Sequence, residues 1–162
     1  MSKRLIASIL VSVFGLIGVT GVALADTIGR YECNIIGQTS LEPIGDRDGH
    51  LLRTYDFSCL GVDGLLKGAV YTANSVSELD GPQVTFHFSG GVHRTAGGLA
   101  VGYILDGTGS TVMQEGKPAR ATASGKIIFK FASGTLAALS GKTFKWAAKP
   151  ISFNRFELEY AD

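Results

Sequence analysis

Polar residues whose types could do chemistry are densest in one short segment, Asp46-Arg47-Asp48-Gly49-His50. Alternating aspartates before a glycine are typical of the start of a calcium-binding loop, because a hard cation needs several convergent oxygen ligands. The bidentate glutamate that such a loop requires further along is missing, since Phe57 stands at that position. We therefore interpret the segment as a solvated surface loop.

Two histidines, His87 and His93, flank the sequence Ser89-Gly90-Gly91, which predicts the turn of a hairpin. In such a hairpin the two rings and Arg94 would come close enough to hold a metal ion or an anion. Zinc needs at least a third protein ligand, and either His50 or Asp48 would have to supply it from the preceding loop. Histidines on the polar face of a hairpin are usually solvent-exposed, so we predict no metal site.

Two carboxylates, Glu157 and Glu159, are spaced like a general acid and a general base. They alternate with Phe156, Leu158 and Tyr160, which predicts that the glutamates face solvent while the apolar row faces the core. No nucleophile elbow G-x-S-x-G, phosphate-binding loop or zincin helix occurs in the sequence. The sequence thus identifies no catalytic residue and predicts no cofactor.

The two cysteines, Cys33 and Cys59, predict a single disulfide if the chain is exported. Closing the loop between them would stabilise the fold by about 3 kcal/mol. A redox or metal-binding pair is the alternative, but it lacks a CxxC spacing and nearby histidine ligands.

The first residues are typical of a secretory signal peptide. Lys3 and Arg4 provide a basic start, an apolar run extends from Leu5 to about Val19, and Ala23-Leu24-Ala25 fits a cleavage site. We predict cleavage between Ala25 and Asp26, which divides the chain into a signal peptide, residues 1–25, and a folded domain, residues 26–162. The exported domain would be periplasmic or secreted, and it would meet a membrane only through the uncleaved segment. An uncleaved anchor over Leu5–Leu24 is the alternative.

Composition narrows the function classes. The 162 residues are 45% hydrophobic and 18% charged, which excludes a wholly disordered chain, and the formal net charge is +1. Loss of Lys3 and Arg4 would leave one more acidic than basic residue, so we predict no nucleic-acid partner. With 22 glycines and only 4 prolines, the chain suits tight turns and bulges.

Apolar residues recur mainly with a period of two, as in Tyr55, Phe57 and Cys59, which is the pattern of half-buried strands. About eight or nine short strands separated by turn signals predict a single all-β domain. We prefer an antiparallel barrel to a closed sandwich, because closure removes exposed strand edges. Two details are predicted as well: separate strands over Leu99–Leu105 and Gly107–Met113, and a β-bulge near Asn154-Arg155.

Aromatic residues on the predicted apolar rows are candidates for the wall of a ligand cavity. Small barrels either fill their interior with side chains or hold one small ligand, and alternation alone leaves both outcomes open. The candidates are Tyr31, Tyr55, Phe57, Phe86, Phe88, Tyr103, Phe129, Phe131, Trp146 and Phe156.

The segment from Phe129 to Gly141, FKFASGTLAALSG, resembles the strand–GTG–turn–strand element of dirigent-like and allene-oxide-cyclase-like barrels, including small exported bacterial proteins. It departs from that pattern at Leu136, where the second glycine would stand. The resemblance implies a barrel fold. No catalytic residue of those families can be placed on this chain.

Together these features predict an exported, non-catalytic β-barrel that binds a small apolar molecule or acts in envelope interactions. An enzyme of the dirigent or allene-oxide-cyclase type is the first alternative, since such barrels guide reactive intermediates with few catalytic groups. An eight-stranded outer-membrane barrel is the second, and the apparent shortness of the strands argues against it. The sequence does not predict an oligomeric state.

Overall fold

The computed structural model describes residues 27–114 and 117–162. The predicted signal peptide and its cleavage site at Ala25 and Asp26 lie outside this part of the chain. Eight antiparallel strands close into a barrel in which each strand pairs with its sequence neighbours and β8 pairs with β1. The all-β barrel is confirmed. The strands are β1 Thr27–Pro43, β2 His50–Gly64, β3 Val70–Asp80, β4 Gln83–Thr95, β5 Gly98–Gln114, β6 Lys117–Gly134, β7 Thr143–Ser152 and β8 Arg155–Ala161.

The two ends of the barrel differ. At one end, which we call the sealed end, the connections between β2 and β3 and between β6 and β7 carry Leu66, Leu136 and Leu139, all of which are buried. A short 3-10 turn, Ala137–Leu139, forms part of this plug. The connections after β1, β3 and β7 lie at the other end, which we call the open end.

The predicted disulfide is confirmed. Cys33 on β1 and Cys59 on β2 are direct partners in the strand register, with their Cα atoms 3.9 Å apart, and they are bonded through sulfur. Both side chains are buried in the barrel interior, where β2 also directs Phe57. The bond therefore joins neighbouring strands within the core.

An extra residue in β4 reverses its side-chain alternation. Val76 and Ser77 on β3 pair with Phe88 and Phe86, so His87 between them has no partner of its own. Phe86 packs against the core, whereas Phe88 is 44% exposed. The prediction that Phe88 lines a cavity is wrong, because a single inserted residue turns the following side chains to the opposite face.

A second bulge acts in the same way on β6. Val101 and Gly102 on β5 pair with Phe131 and Phe129, which leaves Lys130 as the extra residue. Phe129 is fully buried, but Phe131 is 52% exposed. The predicted cavity role of Phe131 is therefore also wrong.

β5 is one continuous strand rather than the two that the sequence predicts. Its predicted apolar row, which includes Tyr103, lies on the outer face, and Leu99 and Leu105 in that row are exposed. Tyr103 alternates with the inward residues and does not line the cavity described below. The glycines weakened the sequence pattern here, because they give no signal for either face. Before the register shift at Leu105, the inward residues are Ala100, Gly102 and Ile104.

The last strands form a hairpin where the sequence suggested one bulged strand. β7 ends at Ser152 and β8 begins at Arg155, and Asn154 in the turn between them has a positive φ of 56°. The turn explains why the apolar residues change parity at this point. The predicted bulge is therefore misplaced: a turn occupies Asn154, and the register irregularity of this hairpin lies at Ile151, between Pro150 and Ser152.

Strand lengths also differ from the expectation. Strands β1 to β7 contain between 10 and 18 residues, so most strands are not short. Strand length therefore no longer argues against a barrel that spans a membrane. Among residues 27–114 and 117–162, no helix has the length and hydrophobicity needed to cross a bilayer.

Candidate functional site

A cavity of about 250 Å³ occupies the half of the barrel next to the open end. Its lining includes Ser152, Asn154 and Arg155, which are exposed at the end of β7 and the start of β8, so the cavity communicates with solvent there. The interior is thus filled near the sealed end and hollow near the open end. The large apolar and aromatic residues of the lining are Ile35, Tyr55, Phe57, Tyr71, Val84, Phe86, Ile104, Ile127, Trp146, Phe156, Leu158 and Tyr160.

Trp146 on β7 closes one side of this cavity. Its indole Nε1 donates a hydrogen bond to the backbone oxygen of Asp106, at 3.2 Å, and its ring meets Phe86 edge to face at a centroid distance of 5.3 Å. Gly107 makes this position available, because a Cβ there would lie 2.4 Å from the indole ring. The glycine in β5 thereby lets a large aromatic ring from β7 pack directly against the strand.

Beneath the cavity, three tyrosines surround a buried histidine. His93 stacks on Tyr71 at a centroid distance of 3.8 Å with nearly parallel rings, and its Nδ1 lies 2.8 Å from the hydroxyl of Tyr31. Tyr160 meets both Tyr31 and His93 edge to face. Within the described residues, Nε2 of His93 is buried and has no hydrogen-bond partner. Tyr71 and Tyr160 reach the cavity and form its floor.

Burial sets the charge state of this floor. Desolvation lowers the pKa of His93 to about 3, so the ring is neutral at ordinary pH. Burial also raises the pKa of Tyr31, Tyr71 and Tyr160 above the usual value, which keeps all three hydroxyls protonated. The floor is therefore uncharged, and its histidine is not suited to act as a general base at neutral pH.

Charge in the cavity wall is all of one sign. The described lining residues include the bases Arg53, Lys149 and Arg155 but no acid. Lys149 pairs with Glu157 at 2.7 Å, and Arg155 pairs with Glu32 at 3.3 Å. Arg53 instead donates from Nε to the hydroxyl of Ser77, at 3.1 Å.

A second polar cluster lies on the outer surface at the open end. The ring of His50 is held between Asp46 and Glu78, at 2.5 and 2.6 Å, and Glu78 also binds His87 at 2.9 Å. Arg47, which like Asp46 belongs to the loop between β1 and β2, forms an ion pair with Asp80 at the end of β3. These contacts fasten the loop of residues 44–49 to β3, so the predicted solvated loop is exposed but anchored.

The histidine pair that the sequence suggested does not form. β4 continues through Ser89-Gly90-Gly91 without a turn, and His87 lies on the outside while His93 lies inside. Among the described residues, no group of three or more His, Cys, Asp or Glu side chains is arranged to hold a metal ion.

The carboxylates of β8 lie outside the cavity lining. Glu157 forms ion pairs with Lys149 and Arg30, and Glu159 accepts a hydrogen bond from the hydroxyl of Thr27. The cations lower the pKa of Glu157, chiefly through its hydrogen bond with Lys149, so this group stays ionised. The ion pairs therefore make Glu157 unsuited to the role of a general acid.

The aromatic candidates divide into three groups. Five line the cavity: Tyr55, Phe57, Phe86, Trp146 and Phe156. Two are buried below it, Tyr31 and Phe129. The other three lie on the outer face: Phe88, Tyr103 and Phe131. Sequence reasoning missed Tyr71, Tyr160 and His93 as parts of the floor. Tyr160 was recognisable as a core residue from its alternation, whereas the bulge at His87 hid the orientation of His93.

Comparisons of the chain with protein-family models, with curated proteins and with solved structures gave no match.

Proposed function

We propose that the protein is an exported binding protein that holds one small apolar molecule in the open half of the barrel. The observation that carries the proposal is the cavity of about 250 Å³ with its aromatic wall. A dry cavity of about 150 Å³ in another protein is large enough to bind benzene. Burial of apolar ligand surface here would be favourable, at about 25 cal/mol per Å² before the losses of association.

The disulfide supports the proposed location. A buried Cys33–Cys59 bond is consistent with an oxidising compartment such as the periplasm or the extracellular space. We assign export to residues 1–25, with cleavage before Asp26. N-terminal sequencing of the exported protein tests this assignment, and a start at Met1 or Ser2 would contradict it.

Ligand binding is tested with N-phenyl-1-naphthylamine, a neutral fluorophore that brightens in apolar surroundings. The full chain is expressed for export, purified, and titrated with the fluorophore. We expect saturable binding at one site per chain. Absence of saturable binding for this probe and for 1-decanol, measured by calorimetry, would overturn the proposal.

Neighbouring alanines on β7 provide a matched pair of variants. Ala148 lines the cavity, whereas Ala147 is exposed on the outer face. Ala148→Phe should weaken probe binding by about tenfold or more, because the new ring takes up cavity volume. Ala147→Phe should leave the affinity unchanged. Ala148→Leu serves as a smaller replacement if the phenylalanine variant unfolds, and equal affinities across all variants would contradict binding in this cavity.

An enzyme is the second candidate, because the floor of the cavity contains polar side chains. Tyr71 and Tyr160 add polar side chains to the lining of an otherwise largely apolar cavity, as expected for a barrel that guides a reactive molecule. Ligands that co-purify with the chain can be identified by mass spectrometry and returned to it. Conversion by the unaltered protein but not by Tyr71→Phe would favour the enzyme, whereas recovery of unchanged ligand favours binding alone.

The outer surface disfavours a membrane-spanning barrel. Arg30 and Glu157 form an ion pair on the outer face of β1 and β8, and Lys149, at the rim of the cavity, also pairs with Glu157. A transmembrane barrel needs an outward apolar band about 25 Å tall. We therefore prefer a barrel that works outside the bilayer, which fractionation into detergent-free and detergent-requiring material can test.

A further inference from the structure

The polarity of the cavity wall changes along β2. From the open end inward, the strand directs Arg53, Tyr55 and Phe57 into the cavity. Residues on one face of a strand repeat about every 6.6 Å, so the guanidinium-bearing residue and the deepest of these aromatics are about 13 Å apart along the strand. An occupant of the cavity would meet a cation near the mouth and aromatic rings further in.

The Arg53 guanidinium is held in place by two contacts. Its Nε donates to the buried hydroxyl of Ser77, at 3.1 Å, and the charged group lies over the Tyr55 ring, 5.1 Å from the ring centroid. The Nε contact leaves the two terminal NH₂ groups available as a parallel pair of donors. This pair matches the two oxygens of a carboxylate, which arginine binds in a bidentate manner.

The other cations of the lining differ from Arg53 in their partners. Lys149 and Arg155 each lie within 4.0 Å of a carboxylate of the protein itself. Among the described side chains, no carboxylate lies within that distance of Arg53. A partly buried guanidinium gains most from an anionic partner where water is scarce.

We propose that Arg53 binds the carboxylate of an amphipathic ligand whose apolar body fills the aromatic part of the cavity. This inference rests on the proposed binding function and adds the ligand class, an apolar chain or ring system that ends in one carboxylate. The guanidinium fixes the orientation of the ligand, with its head at the open end and its tail against the floor.

A pair of competitors that differ only in the head group tests the proposal. Decanoate and 1-decanol are used to displace N-phenyl-1-naphthylamine from the purified chain at neutral pH and low salt. We expect decanoate to bind more tightly than 1-decanol. In Arg53→Gln, decanoate affinity should fall by about 10- to 100-fold, since a charge-assisted hydrogen-bond pair is lost, while the affinities of 1-decanol and the probe stay within about twofold.

Arg94→Gln is the matched control. Arg94 lies on the outer face of β4, is exposed, and donates to a hydroxyl, that of Thr72 at 3.2 Å. Its replacement removes one positive charge from the chain without altering the cavity wall. Decanoate affinity should therefore be unchanged, which separates a local contact from a general effect of net charge.

The outcomes distinguish failure of this inference from failure of the proposed function. If the probe and 1-decanol bind but decanoate binds no better, or if Arg53→Gln weakens both competitors equally, the carboxylate role is wrong and the apolar cavity stands. An equal loss of decanoate affinity in Arg94→Gln would also overturn the inference. If neither the probe nor 1-decanol binds saturably, the proposed function fails and the ligand class fails with it.

Discussion

His93 and His50 are both largely shielded from solvent, yet their surroundings shift the pKa in opposite directions. His93 lies at the centre of the barrel among aromatic rings, where desolvation lowers its pKa to about 3. His50 lies on the outer surface at the open end, where hydrogen bonds to Asp46 and Glu78 raise its pKa. One ring is neutral and the other favours the protonated form.

The contrast shows that the partners of a buried ring decide its charge. Both ring nitrogens of His50 face carboxylate oxygens, which accept hydrogen bonds, so the doubly protonated ring satisfies both contacts. His93 has a tyrosine hydroxyl on one nitrogen and no described partner on the other. Without a nearby negative charge, a second proton on His93 would be an uncompensated charge in the core.

The largest expected effect is the acid lability that His93 confers. Because its folded pKa lies below the ordinary value of 6.5, its contribution is fully present above pH 6.5 and is lost as pH falls towards about 3. Between pH 6.5 and 4 this amounts to about 3 kcal/mol of unfolding free energy. Over this pH range, the unfolding free energy of His93→Phe should fall by about 3 kcal/mol less than that of the unaltered protein. Urea unfolding at each pH measures the difference. Equal losses in the two proteins would show that His93 is not the acid-sensitive group.

Removing the hydroxyl partner of His93 should have a smaller effect at all pH values. Tyr31→Phe leaves Nδ1 without its 2.8 Å contact, so we expect a loss of about 2 kcal/mol at pH 7. Tyr103→Phe makes the same chemical change on the outer face and should cost about 0.5 kcal/mol or less. Similar losses in the two variants would mean that the buried contact contributes little.

The outer cluster should show the opposite dependence on pH. His50 contributes below its ordinary pKa of 6.5, and this contribution is lost as pH rises through the raised folded pKa. Glu78 and Asp46 have lowered pKa values, chiefly through hydrogen bonds to His50, so their contribution is lost as pH falls through those lowered values. Arg47 and Asp80 are the other charged groups of the cluster, and His87 forms a hydrogen bond with Glu78.

His50→Gln should therefore lower Tm most between about pH 4.5 and 6.5, and the difference from the unaltered protein should narrow at higher pH. Thermal unfolding followed by circular dichroism at several pH values measures this. A difference that grew as pH rose above 7 would contradict the assignment of a protonated ring.

The smallest effect is expected for Arg47, which pairs with Asp46 and Asp80 at the exposed edge of the same cluster. Arg47→Gln should shift Tm by about 2 °C or less, because solvent screens exposed ion pairs. The shift should shrink further in 1 M salt. A large, salt-insensitive shift would indicate that the loop of residues 44–49 holds the barrel together more than its exposure suggests.

In strands without a bulge, the alternation of apolar and polar residues in the sequence correctly predicted which side chains face the interior. In β2, the row of Tyr55, Phe57 and Cys59 was correctly predicted to face inward, and the disulfide to Cys33 followed from cysteine count and predicted export. In β8, Phe156, Leu158 and Tyr160 were likewise predicted on the core face. These assignments hold because successive side chains of a strand alternate between its two faces.

Bulges and glycines defeated the same argument in β4, β5 and β6. Extra residues at His87 and Lys130 reverse the alternation, which turns Phe88 and Phe131 outward and His93 inward. A bulge exists only relative to the register of the neighbouring strand, so the residue type at the bulge does not reveal it in the sequence.

The sequence alone determined an all-β chain of alternating strands with one disulfide, because alternation and cysteine count are local properties. Only the tertiary structure decided which aromatic rings share the interior and how large a space they leave. The cavity of about 250 Å³ arises where inward rows from different strands meet, and its mouth carries Arg53 while its floor carries Tyr71 and Tyr160. Such a volume depends on strand registers around the closed barrel, so no single strand encodes it.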